Sequence, residues 1–396
     1  MPSVTFGILG SVEIFPWVVL YAITQRQFFS SNFFILLVAI TPWVCFAMLD
    51  EGIKNFDMVR SLFAYLNVLI LFFLVPNLPN HEVDSLKNSA AIVLVLTIVA
   101  GILQSFQSLQ IFHEFINILV PRALSTLGET FGIGARGVSG LSSEPARQAM
   151  SIIFLLLIQF CNIRPNQGLW SITIISILYL WFINKSAIGT IFSLVFIGGL
   201  IAALLVQKVN FKRFTFFSVI VVTLFIGLMN FNNFVTTYEK ELSKSRAGSL
   251  IILASDYNLN ELLEFGLDFG GFRISSILAI YKDPTLLGYG LGNSAKATGA
   301  LIKQDKDLIS SRYYANPNTP VNNRPTSFIS ALLVEFGLIG TFLIFLLILI
   351  TISNNNNTFT LYKFLLLLPI FFSLLITGAS GNPLPIASLL LILRKV

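Results

Sequence analysis

"NNRPTSFISALLVEFGLIGTFLIF", residues 322–345, decides how this chain is read. A polar, proline-containing lead-in gives way at Thr326 to an apolar run that continues to Ile352, and a carboxylate, Glu335, stands nine residues into it. A run of about 17–25 apolar residues crosses roughly 30 Å of hydrocarbon as a helix. Helices suit that environment because every backbone N–H and C=O must find its partner away from water. A carboxylate inside such a run is costly, and by default it faces a bundle interior or a wet cavity.

Working outward, similar runs recur along the whole sequence: 4–24, 32–49, 58–76, 89–108, 147–163, 168–184, 186–206, 214–231, 326–352, 360–376 and 383–394. They predict an all-α, polytopic helical membrane protein of about eleven spans, within a range of ten to twelve, forming one integral membrane domain over 1–396. The first run is the weakest, since it carries Glu13 and Pro16. It is expected to be retained, because no charged segment and small-residue cleavage site mark it for removal. Composition agrees: 55% of residues are hydrophobic, only 11% are charged and 38 are Phe, and mean hydropathy is +0.82. A water-soluble domain built this way would carry a largely apolar surface. Cys45 and Cys161 fall inside expected spans and read as packing residues, and His81 and His113 lack metal-ligand spacing. A pI near 9.3 is ordinary for a membrane protein and implies no nucleic-acid partner.

Two connections are long, 109–146 and 232–325, and the second holds 10 Lys/Arg and 9 Asp/Glu. Four expected spans separate them, which puts them on one side. The short connections on the opposite side carry nine cations (Arg26, Lys87, Arg164, Lys208, Lys212, Arg213, Lys363, Arg394 and Lys395). The side of the large loops carries six (Lys54, Arg60, Lys185, Arg122, Arg136 and Arg147). Cytoplasmic connections collect Lys and Arg, so both long loops are expected outside and the C-terminus inside.

Each long loop contains an unusual stretch. Residues 136–150, "RGVSGLSSEPARQAM", set Arg136 and Arg147 around Glu144 in a Gly/Ser/Pro-rich segment at the mouth of the fifth expected span. Residues 273–292, "RISSILAIYKDPTLLGYGLG", place Ile274, Ile277, Leu278 and Tyr281 at helical spacing, which predicts a short amphipathic helix lying on the membrane. Asp283-Pro284 breaks it. Gly288, Gly290 and Gly292 then follow at alternate positions, a spacing that permits tight turns and close approach of backbone N–H groups to a ligand. Asp305-Lys306-Asp307 matches a D-x-D metal motif but sits in a mixed-charge loop, and Asp50 and Glu51 are lone acids, so no metal is assigned.

Taken in order, the R-x-x-x-G-x-x-x-E-P segment, the R…DP…GYGLG segment and the span entered through E-F-G-L-I-G resemble the O-antigen polymerase and ligase superfamily of bacterial envelope glycosyltransferases. The resemblance covers about residues 130 to 350. It implies a GT-C-like helical bundle with a large periplasmic loop in the bacterial inner membrane. It also implies substrates carried on undecaprenyl pyrophosphate and arginines that grip the pyrophosphate, here Arg136 and Arg273. Ligases of this kind usually place His-Asn where this chain has Thr326-Ser327, so the reading favours a polymerase, with the ligase and a flippase or transporter for lipid-linked glycan as alternatives. A transporter is expected to show broken helices, repeated halves or several intramembrane charges, and none is evident in the sequence.

The chemistry requires stabilised negative charge on the leaving pyrophosphate, which arginine's planar, permanently charged fork suits. The expected catalytic set is Glu144, as acceptor of the hydroxyl proton, with Arg136 and Arg273. Arg147, Lys185, Gly288, Gly290, Gly292, Arg312, Arg324 and Glu335 are expected around the substrate. Each has a plainer reading: Glu144 as a helix-end acid, Arg312 and Arg324 as loop ion pairs, Glu335 as a packing residue. The expected partners are lipid-linked glycans and membrane lipids, with a chain-length regulator and a flippase alongside. No cofactor is expected.

Overall fold

The structure, a computed structural model, describes residues 4–6, 12–14, 18, 41–43, 45, 56–106, 137–142, 144–160, 167–206, 272–309, 324–325, 327–354, 361–377 and 382–394. The expected spans 32–49, for the most part, and 214–231 lie outside these residues, as do Asp50, Glu51, His113, Arg136, Cys161 and Arg312. The chain is organised in two compact units: Met1–Leu78 with Leu263–Thr358 and Ile370–Lys395, and Pro79–Leu262 with Phe359–Pro369. Helices α1 (Phe56–Asn77), α2 (Asn80–Ser105), α3 (Pro145–Gln159), α4 (Gln167–Tyr179) and α5 (Ala187–Val206) come first. They are followed by α6 (Phe272–Lys282), α7 (Ser294–Gln304), α8 (Lys306–Ile309), α9 (Phe328–Asn354), α10 (Leu361–Phe372) and α11 (Leu384–Leu393). π-helical turns at Leu180–Asn184 and Ser373–Thr377 extend α4 and α10. Asp57–Asn77, Asn80–Ser105 and Phe328–Leu346 are long and apolar enough to cross a membrane, and shorter apolar helices cover five further expected spans. This is a membrane-embedded helical protein.

The first expected span is corrected. Its described residues up to 14 are two short strands, β1 (Val4–Phe6) paired antiparallel with β2 (Val12–Ile14), with Thr5 opposite Glu13, and only Val18 beyond them is described as helical. Val, Thr, Phe and Ile suit a pleated strand, and the hairpin spares Glu13 the cost of a membrane-spanning helix.

In the first unit α9 decides the geometry. The run expected to be one span is broken at Gly337, whose backbone is non-helical (φ 68°, ψ −173°). The segment after α6 fills the break. Tyr289 N–H donates to Val334 O (2.8 Å) and Gly290 N–H to Glu335 O (3.1 Å). In return, Leu338 N–H donates to Thr285 O (2.9 Å) and Ile339 N–H to Leu286 O (3.1 Å). Four backbone bonds thus replace those the helix gives up, as burial away from water requires. Only glycine fits the crossing: a Cβ on Gly337 would lie 2.3 Å from the Gly288 nitrogen, and one on Gly288 2.5 Å from the Gly337 nitrogen. α6 forms as expected and ends at Asp283-Pro284, but it does more than lie on a surface. Ala279 and Ile280 are buried with Ala297, Leu301, Ile302, Leu308 and Val334 in one core that joins α6 to α7, α8 and α9.

In the second unit α2, α3 and α5 pack around fully buried Leu94, Ile152, Ile153, Leu156, Leu157, Phe192 and Phe196. Gly189 lets α5 come within van der Waals reach of Ala149 on α3, the small-residue contact by which helices associate where lipid offers no hydrophobic driving force. Gln159 Nε2 donates to Lys87 O (2.8 Å), tying the end of α3 to the start of α2. The unit's opposite end therefore gathers the end of α2, the start of α3 and the π-helical turn.

The interlock makes Gly337→Ala costly, because a left-handed backbone and a backbone collision coincide there; strain of this kind costs of order 1–3 kcal/mol. Gly198→Ala, with nothing within 4 Å of its Cβ position, should be neutral or stabilising by about 0.5–1 kcal/mol. Thermal unfolding in detergent micelles is expected to place Gly337→Ala below the parent and Gly198→Ala at or above it; equal stability of the two variants would contradict the interlock.

Candidate functional site

The glycine-rich stretch at 136–150 is built from its backbone outward. Gly137 has φ 87°, and a Cβ there would lie 1.6 Å from the carbonyl oxygen of Asn184, so the segment runs directly against the π-helical turn. Buried amides hold it. Asn184 Nδ2 donates to Val138 O (2.8 Å), to Pro145 O (3.1 Å) and to Gln148 Oε1 (2.9 Å). Gln148 Nε2 donates to the Tyr179 hydroxyl (2.8 Å) and to Thr97 O (3.2 Å). From α2, Gln104 Oε1 accepts the N–H of Gly140 (2.6 Å). Gln104, Gln148 and Asn184 are all nearly or fully buried, and such groups are expensive to leave unmatched away from water.

Upon this frame Pro145 begins α3 and Glu144 occupies the position just before it, in extended conformation (φ −147°, ψ 146°). Glu144 does not cap the helix through its carboxylate; its backbone oxygen accepts from Gln148 N–H (3.1 Å). Its side chain is half-buried, as is that of Arg147, one turn further on. Lys185 is exposed and, alone among the described non-glycine residues, has a positive φ (52°). That conformation ends the π-helical turn, and the lysine backbone sits beside Gly137. The structure therefore brings Lys185 and the segment Gly137–Arg147 to one end of the second unit. Strained backbone of this sort clusters at binding and catalytic sites.

The first unit holds a separate cluster. Glu335 is fully buried, and its Oε1 accepts from Ser61 Oγ of α1 (2.8 Å) and from Arg324 Nη2 (3.3 Å). Arg324 Nη2 also meets Ser61 Oγ, and its Nε donates to Ser294 Oγ at the start of α7 (3.2 Å). Arg324 is thus half-buried rather than a surface residue, and among the described residues its counter-ion is the carboxylate of α9. Glu335 Oε2 and the Tyr65 hydroxyl have no hydrogen-bond partner among the described residues. Tyr65 nonetheless lies within electrostatic reach of the carboxylate and packs edge-on against Phe336, 4.9 Å between ring centres. The arrangement is an oriented guanidinium backed by a buried carboxylate and two hydroxyls, suited to holding an anion at its half-buried edge.

The close approach permitted by the alternating glycines is to the chain itself. Gly288 N–H bonds Thr285 Oγ1 (3.1 Å), Gly290 N–H is spent on Glu335 O, and Gly292 lies against the backbone of Met58. Arg273 lies in the first turn of α6. Asp305 is likewise occupied: Oδ2 pairs with Lys282 Nζ (2.7 Å) and Oδ1 accepts Leu308 N–H (3.2 Å) at the start of α8. Comparison with family models, curated proteins and solved structures finds no match to this chain.

Sequence reasoning passed over Gln104, Gln148, Asn184, Ser61 and Ser294. The available signal was an amide within an otherwise apolar run, which must find a partner. For the ion pair, removing one partner strands a buried charge, at about 3–5 kcal/mol. Arg324→Met is therefore expected to destabilise strongly, and Arg324→Met/Glu335→Gln to recover a large part of the loss. A double-mutant cycle of thermal stability reads this directly, and additive losses would show that the two side chains do not share their energy.

Proposed function

We propose that this membrane protein polymerises lipid-linked oligosaccharide repeat units. The growing glycan leaves undecaprenyl pyrophosphate for a hydroxyl of a new undecaprenyl-pyrophosphate-linked repeat, at the periplasmic face of the bacterial inner membrane. The observation that carries the reading is the clamped segment Gly137–Arg147. It sets a half-buried carboxylate, Glu144, beside a proline-started helix, with a strained lysine at the same end of the bundle. That segment is also the first of the three whose order resembles the polymerase superfamily.

In this reaction the bond between the donor sugar's anomeric carbon and the pyrophosphate oxygen breaks. A glycosidic bond forms to the acceptor oxygen, whose proton passes to Glu144. Arg136 holds the departing undecaprenyl pyrophosphate, with Arg147 and Lys185 adding positive charge. A buried frame of amides under the segment restrains it, and restraint of this kind is what catalytic positioning requires. A flippase supplying the lipid-linked repeat and a chain-length regulator are the partners such a reaction calls for.

One observation favours a second reading, transport of the lipid-linked glycan. α9 is discontinuous at Gly337 beside a buried ion pair, and broken helices near buried charges are a device of transporters.

Purified protein in vesicles with lipid-linked repeat separates the two. A positioned general base contributes about 10²–10⁴-fold, so Glu144→Gln is expected to slow chain lengthening by that order while donor binding persists. Arg136→Ala is expected to abolish the ladder of products, and Arg136→Lys to rescue poorly. Ladders of parental length in both Glu144→Gln and Arg136→Ala would remove these residues from the reaction. Movement of labelled repeat across the bilayer without lengthening would favour transport.

A further inference from the structure

The break in α9 divides it into two stretches of different surroundings. From Phe328 to Phe336 no described side chain is exposed; Phe328, Leu332, Val334, Glu335 and Phe336 are buried. From Leu338 onward a continuous apolar face opens: Leu338, Ile339, Phe342, Leu343, Phe345, Leu346 and Leu349 are all exposed. Recurring at helical spacing, these side chains form a lipid-facing stripe, and it begins one residue past the break.

Contacts within the first unit give the level of that break. Ser61, near the start of α1, bonds Glu335, whereas Arg394, just past α11, reaches the carbonyl of Leu78 beyond the other end of α1. From Ser61 to Asn77 α1 rises ~24 Å, and from Leu338 to Asn354 α9 rises ~24 Å, at 1.5 Å per residue. Both are slightly less than the hydrocarbon thickness of about 30 Å. Taken as the crossing part of α9, the exposed stretch Leu338–Asn354, rather than the buried Phe328–Phe336, sets residues 335–338 near one face of the hydrocarbon layer.

The segment that fills the break carries two leucines at its tip. Leu286 is 65% exposed and Leu287 63% exposed, yet the backbone beneath them is fixed, because Leu286 O accepts Ile339 N–H and Leu287 O accepts Trp43 Nε1–H (3.1 Å). Trp43 in turn packs on Phe336, with ring centres 5.5 Å apart. Tryptophan with one polar and one apolar edge is a residue of the membrane interface. The leucine tip is bonded to the first turn of the lipid-facing stripe, so its apolar surface continues that stripe.

We propose that Leu286 and Leu287 insert into the bilayer just beneath the lipid headgroups, anchoring the Thr285–Gly290 segment, and with it α6 and α7, to the membrane surface. The occupant of this surface is lipid, not a second protein. An insertion of this kind holds the extramembrane helices of the large loop at headgroup level, where a lipid-borne phosphate lies. It stands whether or not the chain is a polymerase.

The test uses the full chain with Cys45 and Cys161 replaced by serine, and Leu286→Cys, Leu287→Cys and, on the exposed face of α7, Ala300→Cys made singly and labelled with bimane. Reconstituted in phosphatidylcholine–phosphatidylglycerol vesicles, labels at 286 and 287 are expected to be quenched at least twofold more by shallow doxyl lipid than by aqueous iodide, and the label at 300 the reverse. Iodide quenching at 286 and 287 equal to that at 300 would place the tip in water and overturn the proposal. Quenching by neither agent would show it covered by protein, a second copy included, with the same consequence. Hydroxyl-radical footprinting of the unmodified chain in vesicles gives a reading free of substitutions. Leu286 and Leu287 are expected to be spared, and oxidation of both as strong as in detergent-free water-exposed peptide would overturn it.

Discussion

A helix that breaks inside a membrane protein must find new partners for the backbone groups it releases, because lipid supplies none. Here the break at Gly337 is met by one segment, Thr285–Gly290, through two donors and two acceptors on each side. The two glycines at the crossing have positive φ (76° at Gly288, 68° at Gly337), so neither chain could approach the other with a side chain in place. The part of the first unit around α9 hangs on this crossing. It brings α6 and α7 against α9, it sets Ser294 within reach of Arg324, and it fixes Glu335 opposite Ser61.

The second unit solves a similar problem with side chains. Two buried amides, Gln104 of α2 and Asn184 of the π-helical turn, take up an N–H and a carbonyl of a segment that forms neither helix nor strand, and Gln148 of α3 ties Asn184 to Thr97 O and the Tyr179 hydroxyl. A fully satisfied polar network of this sort rigidifies, whereas a partly satisfied one would be worse than an apolar core. The proposed chemistry needs that rigidity, since a carboxylate that takes a proton from a hydroxyl must be held within hydrogen-bond reach of it.

The length of the apolar runs made most of the helices legible. The expected spans 58–76, 89–108, 147–163, 168–184, 186–206, 326–352, 360–376 and 383–394 each contain an apolar helix. Boundaries were less so: α2 begins at Asn80, because Asn80–Lys87 continues the helix with polar residues that hydropathy does not count. The hairpin at 4–14 was hidden because Val, Phe and Ile serve strand and membrane helix equally. The break at Gly337 was hidden for a related reason. "EFGLIG" reads as uninterrupted hydrophobicity, and nothing local shows that Gly288, forty-nine positions away, will lie against Gly337. Glu335 was legible as an expensive residue, but its partner was not, since Arg324 precedes the span and its own loop supplies many acids of its own. Gln148 and Asn184 were overlooked because amides lack the charge that draws attention to arginine and glutamate.

The crossing of Thr285–Gly290 with the broken helix is the claim on which the rest depends, and backbone amide exchange measures it most directly. With the protein in lipid nanodiscs, the amides of Tyr289 and Gly290 are expected to exchange as slowly as those in the interior of α1, although exposed leucines immediately precede them. Exchange at Tyr289 and Gly290 as fast as in an unstructured peptide, with Leu338 and Ile339 still protected, would mean that α9 keeps its own bonds and that the crossing does not form.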